Sequence, residues 1–454
     1  MNDIRQQAKA LYNALDMDKP IAFDQQGLVP HALPEMFYVP GIHGDGGGDP
    51  VQELADQIDW SEAAGAYLFS GNRGTGKTTE LLRLAKLLKT QGCEVFYADM
   101  SEFLNLTVRL EISDFLVSVM GALSEKIKAR FNDKSPGDRG YLERVRDFLQ
   151  KEVNLGEVTL PAGGVELQLA LRDDPGFKML LQKNTRGHVA QLAKQAKDFA
   201  LEAVQFIRQE RRNPDLKVVL IVDSVERLRG VGNSEDINEV FKSAETVFSS
   251  HADKLRFSGL SVVYTVPPYL SALAGGLGAQ YAGGRVYILP SMHIYQCCPE
   301  PDQPPVCSEQ GLSAMRNILG KRFQDWEKFL SREQVDRLAL SSGGDLRDFF
   351  RMVRQVCLKL PYIADGKADE ATLAQAEDAV RNDMLPIAED DQQRLAHIAR
   401  THDPKLANLD ELPIVARLLQ GKYMLNYRNG QDWYDVHPLL RGKLSPLAGA
   451  IANA

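Results

Sequence analysis

The residues with the clearest chemistry are eight in a row, Gly71-Asn72-Arg73-Gly74-Thr75-Gly76-Lys77-Thr78. In the order Gly-x-x-x-x-Gly-Lys-Thr, the glycines let the backbone turn its N–H groups inward around phosphate oxygens. The lysine then reaches the β- and γ-phosphates, and the threonine hydroxyl ligates Mg²⁺. Such a loop needs a buried strand before it and a helix after it. Gly65 to Ser70 reads as that strand. Leu81, Leu82, Leu84, Ala85, Leu87 and Leu88 give the apolar stripe of the helix, whose N-terminal dipole favours anions. Gly71, Asn72, Arg73, Gly74, Thr75, Gly76, Lys77, Thr78 and Thr79 are therefore the candidate nucleotide-binding residues, with a ligand-free glycine-rich turn as the alternative.

A second group lies at the end of Lys217-Val218-Val219-Leu220-Ile221-Val222-Asp223, a continuous apolar run that suits a central parallel strand covered on both faces. Open α/β sheets place ligands beyond the carboxyl ends of their strands, so Asp223 is a candidate magnesium-side carboxylate alongside Thr78. The stretch between Lys77 and Asp223 is far longer than one or two βα units need, so it holds an insert. Within it, residues 157–169 alternate around Gly163-Gly164 and read as a β-hairpin. A stripe at Val189, Leu192, Ala196, Phe199, Ala203 and Phe206 marks a long helix that packs on the protein's own core or forms a seam for a partner.

Alternation of short apolar strands with amphipathic helices indicates an α/β fold with a mainly parallel sheet. The 454 residues, 44% hydrophobic and 25% charged, suggest two to four ordinary globular domains. A formal charge of −8 argues against a surface coated uniformly for nucleic acid and leaves a local basic face open. No apolar run reaches a membrane span, the N-terminus does not read as a secretory signal, and five cysteines suit a reducing compartment, so a cytoplasmic location is expected. Cys297, Cys298 and Cys307 match no zinc spacing and read as thiols of a surface loop.

The segment Asp223-Ser224-Val225-Glu226-Arg227-Leu228 resembles the strand-end signature of STAND and related AAA+-type ATPases. In AAA+ proteins a catalytic glutamate directly follows the strand-end aspartate. Here that place is Ser224, and the resemblance makes Glu226 the acid that orients the attacking water. It further implies that Thr265, near the end of Leu260 to Val266, contacts the γ-phosphate or water, and that Arg285 reaches a neighbouring subunit's nucleotide. The stretch Ser341-Ser342-Gly343-Gly344-Asp345-Leu346-Arg347 resembles the helical lid motif, in which a glycine pair precedes a helix carrying a nucleotide-sensing arginine. Asp345 is the expected cap and Arg347 the expected sensor, with Arg351 and Arg354 as alternatives.

Two helical stretches, 391–401 and 409–420, precede a hairpin pattern turning at Asn429-Gly430, and together they resemble a winged-helix domain. The expected organisation is a lead-in over 1–50, a P-loop NTPase core over 51–300 with an insert at about 133–215, a helical lid over 301–385 and a winged-helix-like domain over 386–454. The resemblance implies an AAA+/STAND-like ATPase that binds ATP and Mg²⁺, forms a nucleotide-dependent homo-oligomer and controls a partner or effector protein, with bacterial antiviral defence or signalling as the setting. Lys77, Asp223, Glu226, Thr265, Arg285 and Arg347 would be its catalytic set. A DNA-engaging ATPase similar to origin-recognition or transposition regulators is the alternative, and a phosphate-loop small-molecule kinase a third reading.

Overall fold

The computed structural model describes every residue except 1, 24–30, 44–47, 137–139, 152–163, 229–233, 271–274, 407–410 and 452–454. The chain forms two compact units, one of Val51–Ser70 and Arg83–Tyr287, the other of Met1–Pro50, Gly71–Leu82 and Ile288–Ala454.

An α/β fold organises the molecule. Its strands are β1 (Ala66–Gly71), β2 (Glu94–Asp99), β3 (Val218–Asp223), β4 (Leu260–Val266) and β5 (Val286–Leu289), in the sheet order β2-β3-β4-β1-β5. Parallel pairings join β2 to β3, β3 to β4 and β4 to β1. Every residue of β1, β3 and β4 is buried, as continuous apolar sequence requires of strands covered on both faces. Helix α1 is Asn2–Ala14 and α2 is Pro50–Trp60; α3 is Lys77–Thr90, which directly follows the phosphate loop.

The insert is helical. Its helices are α4 (Ile112–Arg130), α5 (Tyr141–Lys151), α6 (Gly164–Asp173), α7 (Pro175–Thr185) and α8 (Val189–Arg211), and α9 (Ser234–Glu245) follows β3. Helix α4 is buried almost all round and α8 packs on it, with Leu192, Ala196, Phe199, Ala203 and Ile207 of α8 buried. The stripe read on α8 thus faces the unit's own core.

The expected hairpin over 157–169 does not form as read. Residues 157–163 lie outside the described residues, and 164–169, its second arm, belong to α6. The alternation Val165, Leu167, Leu169, Leu171 contains an i, i+4 pair, so it also fits a helix. Leu167 and Leu171 are buried while Leu169 is exposed, which is helical periodicity.

The second unit is mostly helical: α10 (Glu309–Arg322), α11 (Arg332–Ser341), α12 (Leu346–Lys359), α13 (Glu370–Asn382), α14 (Glu389–Thr401) and α15 (Leu412–Gln420) precede the antiparallel hairpin β6 (Met424–Asn429) and β7 (Gln431–Val436), and α16 (Pro438–Ile451) closes it. The hairpin turns at Gly430, at φ 86°, with Asn429 and Gln431 paired across it and Trp433 stacked on Tyr427 at 4.5 Å between ring centroids. Helix α1 lies along α12. Cys297, Cys298 and Cys307 are exposed free thiols. Among the described residues no helix is long and apolar enough to cross a membrane.

Gly343 and Gly344 join α11 to α12 with φ of 62° and 80°. A Cβ on Gly343 would collide with Leu425 Cδ1 and stand 2.9 Å from the Tyr427 hydroxyl, so conformation and space both demand glycine there. Gly430, at φ 86°, has open space around it. Gly343→Ala is expected to cost about 2–4 kcal/mol, the left-handed penalty plus overpacking, against about 1–2 kcal/mol for Gly430→Ala. Denaturant unfolding of the two variants checks the order; equal losses would mean that the contact with Leu425 and Tyr427 is immaterial.

Candidate functional site

The phosphate loop opens at Gly71, where β1 ends, and α3 begins at Lys77. Gly71 is approached so closely by the Leu289 carbonyl that a Cβ would stand 2.6 Å from it. Gly74 and Gly76 take φ of 97° and 90°, which only glycine adopts without strain. Thr75 Oγ1 donates to the Asn72 carbonyl at 2.9 Å and fixes the turn. Lys77 is buried, its ammonium donating to the carbonyls of Gly71 at 2.9 Å and Asn72 at 2.7 Å. A buried ammonium folded over a glycine loop, with Thr78 beside it at the helix start, is a donor set for a polyphosphate and its divalent cation.

Segments before the loop reach its helix as well. The Thr79 hydroxyl accepts the Ile21 N–H at 3.1 Å, and Tyr38 donates to Glu80 Oε1 at 2.9 Å. Thr79, read as a nucleotide contact, therefore also anchors the lead-in.

The lid motif meets the loop directly. Asp345 caps α12 by accepting the Asp348 N–H at 2.9 Å, as its position before the helix requires. Its carboxylate also lies against Gly74, both oxygens 2.5 Å from where a Cβ on that residue would stand, and Leu346 Cδ1 is 3.9 Å from the same point on Gly76. Burial pushes the Asp345 carboxyl up, against the pull of Lys422, whose ammonium is 2.8 Å away. Against the cost of its own burial, His437 and Lys422 hold the Asp348 carboxyl well below the usual range.

The candidate sensor Arg347 donates to the Met17 carbonyl at 3.3 Å and pairs with Asp18 at 3.1 Å. The alternatives are engaged elsewhere: Arg351 pairs with Asp348 and Asp383, and Arg354 lies 3.9 Å over the Tyr12 ring. Arg347 directly follows the two residues that touch the phosphate loop, and neither alternative shares that placement.

In the sheet unit, Asp223 and Asp99 face each other in register at the carboxyl ends of β3 and β2. Asp223 is fully buried; Tyr97 donates to its Oδ2 at 2.6 Å and the Ser224 N–H to its Oδ1 at 2.6 Å. Burial first, and then the Glu226 charge, push its carboxyl up to about 6. Ser224 is left-handed at φ 71°, a strained turn for a residue with a side chain, and it swings the chain into the short helical turn that carries Glu226. Thr265, fully buried on β4, accepts the Val225 N–H at 3.0 Å and so fixes that turn from below. Arg285 pairs with Glu53 and stacks over Tyr287 at 4.5 Å, within its own unit. Among the described residues no cluster of three or more His, Cys, Asp or Glu side chains forms a metal cage of its own.

Sequence reading missed Tyr97, whose hydroxyl holds Asp223, and missed that Asp345 touches the loop besides capping α12.

No family model matches the chain, and no curated protein matches it by sequence. Solved structures similar to it include Cdc6p from Pyrobaculum aerophilum, at 13% identity and a TM-score of 0.34 over 95% of this chain and 99% of that one. The Aeropyrum pernix ORC2 protein in its ADPNP–ADP complexes is similar at 11% identity and a TM-score of 0.40, over 95% and 99%. The RuvB Holliday junction branch migration motor of Thermotoga maritima is similar at 12% and 0.34, over 88% and 95%. With identities and TM-scores this low, the reading of the site rests on its own geometry.

The folded protein keeps the Asp223 proton up to about pH 6, whereas an ordinary aspartate releases it near 3.8. Its contribution to the metal-free fold is therefore present at acid pH and lost as pH rises through about 6. Asp223→Asn, which cannot ionise, is expected to raise the melting temperature at about pH 8 in chelator and to leave it little changed at about pH 3.5, below the ordinary aspartate value. Thermal unfolding at the two pH values decides it, and a lower melting temperature at pH 8 would mean that the carboxylate is already well compensated.

Proposed function

We propose that this chain is an AAA+/STAND-like ATPase, a switch that binds ATP with Mg²⁺, hydrolyses it, and couples nucleotide state to self-assembly or to control of a partner protein. The observation that carries the reading is the contact of Asp345 with Gly74, because it puts the lid helix on the phosphate loop. Whatever occupies the loop must then act on the lid.

Each residue has a task. The loop N–H groups and Lys77 hold the phosphates, Thr78 takes the metal, and Asp223 supports it once ionised. Glu226 orients the attacking water, on a turn pinned by Ser224 and Thr265. Arg347 exchanges its Asp18 partner for phosphate charge. ATP supplies the anhydride bond that is cleaved, and Mg²⁺ the charge neutralisation across its phosphates. Arg285, at the start of β5, is the residue offered to a neighbouring subunit.

The C-terminal module, winged-helix-like in its helices and hairpin, is better suited to protein contact than to duplex DNA. Arg417 pairs with Asp391, Arg428 with Asp432 and Arg441 with Asp435, so these cations already have acidic partners. Salt-sensitive retention of duplex DNA on filters would favour the DNA-engaging alternative instead.

Lys77→Ala is expected to abolish binding of a Mg²⁺–ATP analogue in calorimetry. Glu226→Gln is expected to keep binding and slow hydrolysis about a hundredfold or more. Binding by Lys77→Ala would remove the site, and unchanged turnover in Glu226→Gln would send the search for the water-orienting acid elsewhere.

A further inference from the structure

Lys422 occupies an unusual place. It follows Gly421 at the end of α15, where a helix takes its left-handed closing residue, normally glycine or asparagine. Here Gly421 stays right-handed, at φ −78°, and the lysine takes the left-handed position at φ 58°. A long charged side chain in that conformation carries strain that its surroundings must offset. Its side chain is only 11% exposed, and its ammonium lies 2.8 Å from Asp345 and 3.0 Å from Asp348.

Asp345 is the carboxylate set against Gly74, so the C-terminal module supplies a counter-charge to an acid that abuts the phosphate loop. A second join runs beside it. Tyr427 donates to the Gly343 carbonyl at 2.7 Å, and Leu425 and Pro438 fill the space beside that glycine. Gly343 therefore touches the hairpin, while Asp345, two residues on, touches the loop.

We propose that Lys422 is a positioning residue of the phosphate loop: by neutralising Asp345 it admits a polyphosphate, so loop occupancy and docking of the β6–β7 hairpin favour one another. The inference rests on the nucleotide-binding reading above and gives it a regulated element. In its charged form a buried carboxylate without its cation would repel phosphate oxygens brought beside it. With Lys422 docked, that repulsion is offset. Coupling between binding events is reciprocal, so a ligand helped by the docked hairpin must in turn hold it docked. Emptying the loop loosens the module and exposes its inner face to a partner.

A double-mutant cycle tests this. Lys422→Gly removes the cation and relieves the left-handed strain, and Lys422→Met keeps the bulk without the charge. Asp345→Asn keeps a helix cap but removes the negative charge. Affinity for Mg²⁺ with a non-hydrolysable ATP analogue is measured by calorimetry for each variant and for both Lys422 changes in the Asp345→Asn background, beside thermal unfolding. Both Lys422 changes are expected to weaken binding about fivefold or more with Asp345 present, and much less in the Asp345→Asn background. The analogue should protect the hairpin from limited proteolysis in the unmodified chain and less in Lys422→Gly. Unchanged affinity in both Lys422 variants overturns the proposal, as does an equal loss with and without the Asp345 charge. If the unmodified chain itself binds no analogue, the nucleotide-binding reading is what fails.

Discussion

A single carboxylate links the parts of the second unit. Asp345 caps α12, lies against Gly74 of the phosphate loop and is neutralised by Lys422 from the C-terminal module. Burying an aspartate is costly, and the cost is bearable only with a hydrogen-bond donor and a cation in place. The fold supplies the donor through the start of α12 and the cation through a strained residue at the end of α15. Change the charge beside Gly74 and each of these arrangements must respond.

The sheet unit applies the same physics to a different end. Asp223 has both oxygens satisfied, by Tyr97 and the Ser224 N–H, yet burial and the Glu226 charge still favour its protonated form. Its proton is therefore held to a higher pH than that of an ordinary aspartate, and the ionised form is the one that burial disfavours. The Ser224 turn and the Thr265 hydroxyl hold this arrangement in place.

Features written in contiguous residues were legible in the sequence. The phosphate loop is one octapeptide, β3 is an unbroken apolar run, Asn429-Gly430 names its own turn, and the glycine pair before Asp345 announces a helix start. Contacts between distant residues were not. Nothing local ties Asp345 to Gly74 or Tyr97 to Asp223, since only the fold brings those pairs together. The hairpin read over 157–169 went astray because alternating leucines satisfy two periods at once, and packing of Leu167 and Leu171 chose the helical one.

A nucleotide in the phosphate loop is expected to be felt at the Gly343–Asp345 junction and beyond it in the hairpin. Amide hydrogen exchange across residues 343–353 and 424–436 measures this, with ADP compared against a non-hydrolysable ATP analogue and Mg²⁺. Greater protection of both segments with the triphosphate is the result expected. Exchange identical in both nucleotide states, with binding of each verified, would contradict it.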